Sequence, residues 1–343
     1  MSSDRPAVSV VIAAYNAEET LAEQFAALER QVGDVDFEIL LCDNGSTDGT
    51  VALAHAWTER LPMMRVIDAS ARRGPGAARN IGVTHARGEF LVFCDADDVI
   101  ADDWISQMHG SLLEAPFVAS RIEHRRLNPS FPEEFRAAEG MMYPTSRMPQ
   151  YPMVGSGHMG VRKAAFEEVG GFDETMSAAE DLDLSWRLQL AGHRLIGNPD
   201  AVVHVRHRPT LRGVYRQAYG WGSLHRRLAH KYERVFAEHP PGPPHPGAEL
   251  PSTPAWRDPG TEDAEQTTDA APPAPARPEG RVGRVLRRAA RIPRKLGRII
   301  RSPIELAPYA RRLGLRVGRV MSRRDPNAPQ LAADGRSWAS SNG

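Results

Sequence analysis

Short apolar runs alternate with amphipathic stretches through the first 240 residues. Val8-Ser9-Val10-Val11-Ile12 is rich in β-branched residues and predicts a buried strand. Residues 18–32 follow, with Leu21, Phe25 and Leu28 at helical spacing. Phe37-Glu38-Ile39-Leu40-Leu41 predicts a second strand, and Cys42-Asp43-Asn44-Gly45-Ser46 closes it with turn residues. Next come a helix from about Asp48 to Arg60 and a strand near Met63 to Ile67. Gly74-Pro75-Gly76 then opens a helix running to Ala86. Phe90-Leu91-Val92-Phe93 is a fourth strand, ending at Cys94-Asp95-Ala96-Asp97-Asp98. Strands alternating with helices predict an α/β protein with a parallel sheet, whose ligands sit beyond the carboxyl ends of the strands. Polar clusters stand at three such ends: Tyr15-Asn16, Asp43-Asn44, and Asp95 with Asp97 and Asp98.

Two acidic motifs carry candidate chemistry. Three carboxylates within Asp95-Ala96-Asp97-Asp98 repel one another, and a divalent cation offsets that repulsion. Hard oxygen ligands suit Mg²⁺ or Mn²⁺. The plainer reading is a polar loop in which one Asp caps the next helix. In Glu180-Asp181-Leu182-Asp183-Leu184, Leu184 and Leu188 share a helix face and Asp181 falls at the N-terminal end. The helix dipole there favours the ionised form that a general base needs. A helix that merely begins with acids is the alternative. His204 and His207 flank Arg206 after the strand-like Ala201-Val202-Val203, as metal ligands or as ordinary surface histidines. Arg208, Arg212 and Arg216 follow, either meeting phosphates or lining a solvated helix face.

Five ordered motifs together resemble the family 2 glycosyltransferases. They are Val8 to Asn16, Cys42 to Thr50, Gly74 to Gly82, Asp95-Ala96-Asp97-Asp98, and Gly170-Gly171-Phe172-Asp173-Glu174 followed by Glu180 to Leu184. The resemblance covers about residues 7–225. It implies a GT-A fold, a Rossmann-like, mostly parallel sheet flanked by helices. It also implies inverting transfer of a sugar from a nucleotide-diphosphate sugar to a saccharide or lipid-linked acceptor. By residue, Ala13, Tyr15, Asp43 and Asn44 would contact the nucleotide, and Arg79 would approach it or brace the loop. Asp95 would lie near the ribose with Asp98 in support, and Asp97 with Asp95 would hold the metal. His204 or His207 would complete the metal site. Gly157, His158 and Glu180 would face the acceptor, and Asp181 would be the catalytic base. Asn44 stands where many members carry Asp, and its amide offers a base edge both a donor and an acceptor.

Charge changes the picture when divided along the chain. The 343 residues hold 43 basic and 43 acidic side chains, a net charge of zero. Residues 1–238 are net −8, whereas 281–324 hold 15 basic residues against Glu305 alone. Residues 239–280 contain 12 of the 28 prolines and predict a disordered linker, and 325–343 a polar tail. The expected organisation is a catalytic domain over 1–238, with a donor half to about 115 and an acceptor half after it. The linker and a basic amphipathic segment follow. Val282, Val285, Leu286, Ala289, Ile292, Leu296 and Ile299 recur at helical spacing among Arg and Lys. That pattern predicts binding to an anionic membrane surface, ahead of docking on the acidic domain and of nucleic acid. The expected location is cytoplasmic, peripheral on the inner face of the membrane. Two cysteines, Cys42 and Cys94, exclude a disulfide scaffold and read as buried thiols. A nucleotidyltransferase and a catalytically inactive GT-A assembly partner are the competing functions.

Overall fold

The computed structural model describes residues 5–136, 139–145, 147–176, 178–248, 306–321 and 331. In chain order the elements begin β1 (Val8–Ala14), α1 (Leu21–Glu29), β2 (Phe37–Asp43), α2 (Thr50–Trp57), β3 (Met64–Asp68), α3 (Pro75–His85) and β4 (Phe90–Asp95). There follow β5 (Val99–Ile100), α4 (Trp104–Glu114), β6 (Phe117–Glu123), α5 (Glu133–Arg136), β7 (His158–Arg162), α6 (Lys163–Glu168) and α7 (Glu180–Leu190). The chain continues through β8 (Leu195–His204), α8 (Leu211–Lys231) and α9 (Glu233–Glu238), and α10 spans Ala307–Met321.

Eight strands form one sheet in the order β3-β2-β1-β4-β7-β6-β8-β5. The first four are parallel, as the alternation predicts. Beyond β4 the sheet is mixed. β7 runs antiparallel to both β4 and β6, β6 and β8 are parallel, and β5 lies antiparallel to β8. Flanking helices bury both faces of the central strands. Val8, Val10 and Ile12 meet Leu21, Phe25, Trp104 and Met108 on one side. Val11 joins Leu40, Phe93, Phe166, Phe172 and Leu184 on the other. This two-sided burial is why these strands read as continuous apolar runs. Cys42 and Cys94 are free and buried, and burial pushes the Cys42 thiol up to about 12 and Cys94 higher still.

Two observations refine the expected organisation. The first residues of the expected linker lie on the domain: Gln150 Nε2 donates to the Pro240 carbonyl at 3.2 Å, and the Gly242 N–H donates to Gln150 Oε1 at 3.0 Å. Helix α10, from the expected basic segment, packs along α8, where Gly222, Gly314 and Gly318 bring the backbones together. The apolar positions from Val282 to Ile299 lie outside the described residues. Among the described residues, no helix is long and apolar enough to cross a membrane.

Candidate active site

Strand register assembles the site. Ala13 lies opposite Cys42 on one side and Asp95 on the other, and Ala14 lies opposite Asp43. The carboxyl ends of β1, β2 and β4 therefore emerge side by side. Asn16 adopts φ 50°, a left-handed conformation that Asn tolerates better than most residues. Its N–H donates to Ser46 Oγ at 2.9 Å and its Oδ1 accepts from the Thr47 N–H at 2.8 Å, tying the first two loops together. Tyr15 is thereby left half exposed, with the Arg73 guanidinium 5.8 Å from its ring centre. Asp43 accepts from the Gly45 and Ser46 N–H groups at 3.1 and 3.2 Å.

At the end of β4, Asp95, Asp97 and Asp98 each offer a carboxylate oxygen, all within 4.8 Å of one another. Burial pushes the Asp98 carboxyl well above the usual carboxylate range, and the neighbouring Asp97 and Asp95 add to it. Burial also raises Asp97, although Arg208 pulls it back. The cluster is thus short of positive charge. Arg208 Nη1 stands 2.9 Å from Asp97 Oδ2, and the Arg206 backbone N–H donates to Asp98 Oδ1 at 2.8 Å. Three converging hard oxygens that destabilise one another as anions fit a divalent cation such as Mg²⁺ or Mn²⁺.

The second half of the site hangs on α7. Glu180, Asp181 and Asp183 occupy its first turn. Burial raises Asp181 above the ordinary range, and burial together with Asp181 pushes Glu180 up to about 7. Arg79, on α3, is almost wholly buried and links the two halves. Its Nη2 lies 2.6 Å from Asp95 Oδ1 and its Nη1 lies 3.4 Å from Glu180 Oε1. Burial alone would depress this guanidinium, but Asp95 and Glu180 override it and hold the charge in place. Loop 155–157 bridges the same gap. A Cβ on Gly155 would stand 3.9 Å from Asp181 Oδ2, and one on Gly157 would stand 2.5 Å from Asp95 Oδ2. Behind α7, Asp183 receives Arg187 Nη2 at 2.8 Å, Lys231 Nζ at 2.5 Å and the Tyr232 hydroxyl at 2.9 Å. Arg187 also donates to the Val169 and Gly171 carbonyls, and Lys231 reaches Asp173 at 2.9 Å. The helix that presents Asp181 is therefore fixed from its buried side.

Several expected site residues are placed differently. The Asn44 amide donates to the Ala69 and Arg72 carbonyls at 2.6 and 2.8 Å and accepts from the Gly74 N–H at 2.8 Å. Both donors go to the backbone, so Asn44 braces loop 69–74 and does not present them to a base. His158 Nε2 accepts from the Gly155 N–H at 3.1 Å, and Nδ1 lies 3.0 Å from the Ser120 carbonyl. A carbonyl only accepts and an N–H only donates, which fixes the tautomer with the proton on Nδ1. Burial depresses this imidazole to about 4, so it stays neutral and locks the loop instead of facing the acceptor. Neither candidate histidine joins the acidic cluster. His204 Nδ1 pairs with Glu123 Oε2 at 2.7 Å. His207 stacks on His124 at 4.7 Å and packs against Phe131 and Phe135. The segment just past β8 instead brings the Arg206 backbone N–H and the Arg208 guanidinium to Asp98 and Asp97. The Arg79 bridge and the tight approach of Gly157 to Asp95 were not foreseen, because both join residues far apart in the chain.

An α/β sheet with an acidic cluster at its strand ends, joined to a half that offers a carboxylate on a helix N-terminus, defines a sugar-transferase class of site. Residues 9–170 match the model of Glycosyl transferase family 2, and residues 129–235 match that of Glycosyl transferase family group 2. The chain belongs to the family 2 glycosyltransferases. It is similar to a pre-mycofactocin glycosyltransferase of Mycobacterium tuberculosis, 34% identical over 165 residues. That match spans 44% of this chain and only 34% of the relative's length. It is also similar to the succinoglycan biosynthesis protein ExoO of Rhizobium meliloti, 27% identical over 68% of this chain and 74% of that protein. Among solved structures, a mannosyltransferase from Pyrobaculum calidifontis in complex with GDP-Man and Mn²⁺ aligns with 64% of this chain and 63% of its own. Its TM-score is 0.49 and its identity 24%.

Proposed function

We propose that the chain is an inverting glycosyltransferase that moves a sugar from a nucleotide-diphosphate sugar to a hydroxyl of a saccharide or lipid-linked acceptor. The setting is polysaccharide, cell-envelope glycan or glycolipid synthesis, from a peripheral position on the inner face of the membrane. Family membership supports the reaction class. The observation that carries the reading is the Arg79 bridge between Asp95 and Glu180, with loop 155–157 reaching from Asp181 to Asp95. It keeps the acidic cluster and the candidate base at a fixed separation, as a displacement between two bound partners requires.

Tyr15 offers an exposed ring and Asp43 a carboxylate for the nucleotide. Asp97 and Asp95 would hold Mn²⁺ or Mg²⁺, which when bound supplies Lewis-acid stabilisation of the negative charge on the departing diphosphate. Arg208 adds positive charge beside Asp97, and Arg206 gives its backbone N–H to Asp98 while its guanidinium meets the Asp97 carbonyl and Glu23. Asp181, its proton affinity raised by burial, takes the proton of the acceptor hydroxyl. The acceptor oxygen bonds to the anomeric carbon as the carbon–oxygen bond to the diphosphate breaks, and the diphosphate leaves with the electron pair. One displacement inverts the anomeric centre and needs no enzyme nucleophile.

A thermal-shift panel of nucleoside diphosphates and nucleotide sugars with Mn²⁺ or Mg²⁺ tests this reading. NMR of the product's anomeric proton follows for the donor that binds. One nucleotide should stabilise the protein only with metal, and the product anomer should be opposite to the donor's. Retention of configuration, or no stabilisation by any nucleotide, would overturn it.

A further inference from the structure

Helices α8 and α10 carry a feature that sugar transfer does not use. Leu211–Lys231 and Ala307–Met321 together contain nine Arg and Lys and no Asp or Glu, on a domain that is net −8 over residues 1–238; Lys231 and Arg311 are buried, whereas Arg212, Arg216 and Arg316 are exposed. Ala218, Gly222, Gly314 and Gly318 let the two backbones approach closely, so the helices form one slab. Large exposed apolar side chains gather on it. Trp221 on α8 and Tyr309 and Leu313 on α10 are 38, 46 and 38% exposed. On α10, Tyr309, Leu313 and Arg316 recur at i, i+4 and i+7 as one exposed stripe, with half-buried Arg312 beside it. Among the described side chains of α8, Arg212, Arg216, Gln217 and Trp221 are exposed. Val32 and Leu113, by contrast, stand exposed among other elements, which is ordinary.

We infer that the α8–α10 slab is the face by which this protein lies on an anionic lipid bilayer. Trp and Tyr settle at headgroup depth with the ring in the apolar layer and the polar edge outward, Leu313 enters beside them, and the arginines meet lipid phosphates. A nucleic-acid backbone would satisfy the arginines but leave Leu313 and the rings in water, so the apolar stripe decides for the bilayer. The face includes residues of the catalytic domain itself, and the inference rests on the peripheral placement proposed above but on none of the sugar chemistry.

Co-sedimentation of the full-length chain with phosphatidylglycerol/phosphatidylcholine vesicles and with pure phosphatidylcholine vesicles tests it. Wild type should bind the anionic vesicles only, and lose binding as salt rises toward 0.5 M, a variant-free readout. Arg212→Gln with Arg216→Gln, both exposed on α8, should weaken binding roughly thirty-fold, from about 1 kcal/mol per basic residue at such a surface. Trp221→Ser with Tyr309→Ser and Leu313→Ser should weaken it by at least about tenfold. Unchanged binding of both variants would assign attachment to residues outside α8 and α10 and overturn the inference. So would equal binding to both vesicle types, no vesicle binding, or displacement of the protein from anionic vesicles by duplex DNA. Donor turnover, measured on the same proteins without vesicles, separates this outcome from failure of the catalytic reading.

Discussion

Replacing Gly157 with Ala places one methyl group between the acidic cluster and the loop that faces Asp181. The added Cβ would sit 2.5 Å from Asp95 Oδ2 and 2.9 Å from its Cγ. An ordinary contact is about 3.5 Å, so the carboxylate must retreat by roughly 1 Å. It cannot do so freely, because Arg79 Nη2 holds Oδ1 at 2.6 Å. A displacement of that size at reacting groups costs about a hundredfold in rate. Stability should hardly change. Gly157 is not among the positive-φ glycines, and the crowding falls on one side-chain carboxylate, with no backbone atom among its near contacts. A Gly-to-Ala change at a permitted backbone conformation gains about 0.4–1 kcal/mol through the unfolded chain, which offsets the local crowding. Steady-state donor turnover, a Mn²⁺ titration and a thermal melt read the three consequences. The expected result is kcat/KM down about a hundredfold, weaker metal dependence and a melting temperature within a few degrees of wild type. Gly110→Ala, in α4 with open space around it, is the control and should leave turnover unchanged. A Gly157→Ala enzyme with wild-type kcat/KM and metal response would refute the close placement of loop 155–157 against Asp95.

Other predictions follow from the buried charges. His158 is held neutral with its imidazole depressed to about 4, against about 6.5 in the unfolded chain, so its contribution is complete above pH 6.5 and is lost as pH falls toward 4. The full loss is at most about 3 kcal/mol, and urea denaturation at pH 7 and 4.5 should show a smaller decline in His158→Gln than in wild type. Because burial raises Asp181 and its neighbour Glu180, kcat/KM should rise with pH along an acid limb lying above the ordinary Asp range. Asp181→Asn removes the charge that, after burial, raises Glu180, so the Glu180 carboxyl should titrate below about 7 by NMR; an unmoved titration would argue against the coupling. Lys231→Met strips a cation from buried Asp183 and Asp173 and should destabilise the fold by about 3–5 kcal/mol in chemical denaturation.

The parallel half of the sheet was legible because its strands are buried on both faces and its turns are rich in Gly, Asn and Asp. The mixed half was not, since β6 and β7 are separated by loop 124–157 and pair in a direction that periodicity does not encode. Acidic site residues were legible for a related reason. Asp95, Asp97 and Asp181 sit at element ends, where local pattern and position coincide. The histidines misled because residue type alone suggested ligation, whereas His204 meets Glu123 and His207 meets an aromatic cluster, both far away in sequence. Asn44 and His158 show the same limit: a polar side chain near a site serves the backbone as readily as a substrate, and only the partners decide. The α8–α10 pairing depends on small residues spaced four apart in two distant segments, and neither segment alone announces it.

The most direct test of the central claim compares wild type with Asp181→Asn under saturating metal, reading nucleoside-diphosphate release with acceptor and nucleotide binding by calorimetry. The account predicts unchanged nucleotide affinity and a transfer rate lower by about 10²–10⁴-fold, the usual contribution of a general base. An Asp181→Asn protein that transfers sugar at the wild-type rate would contradict it.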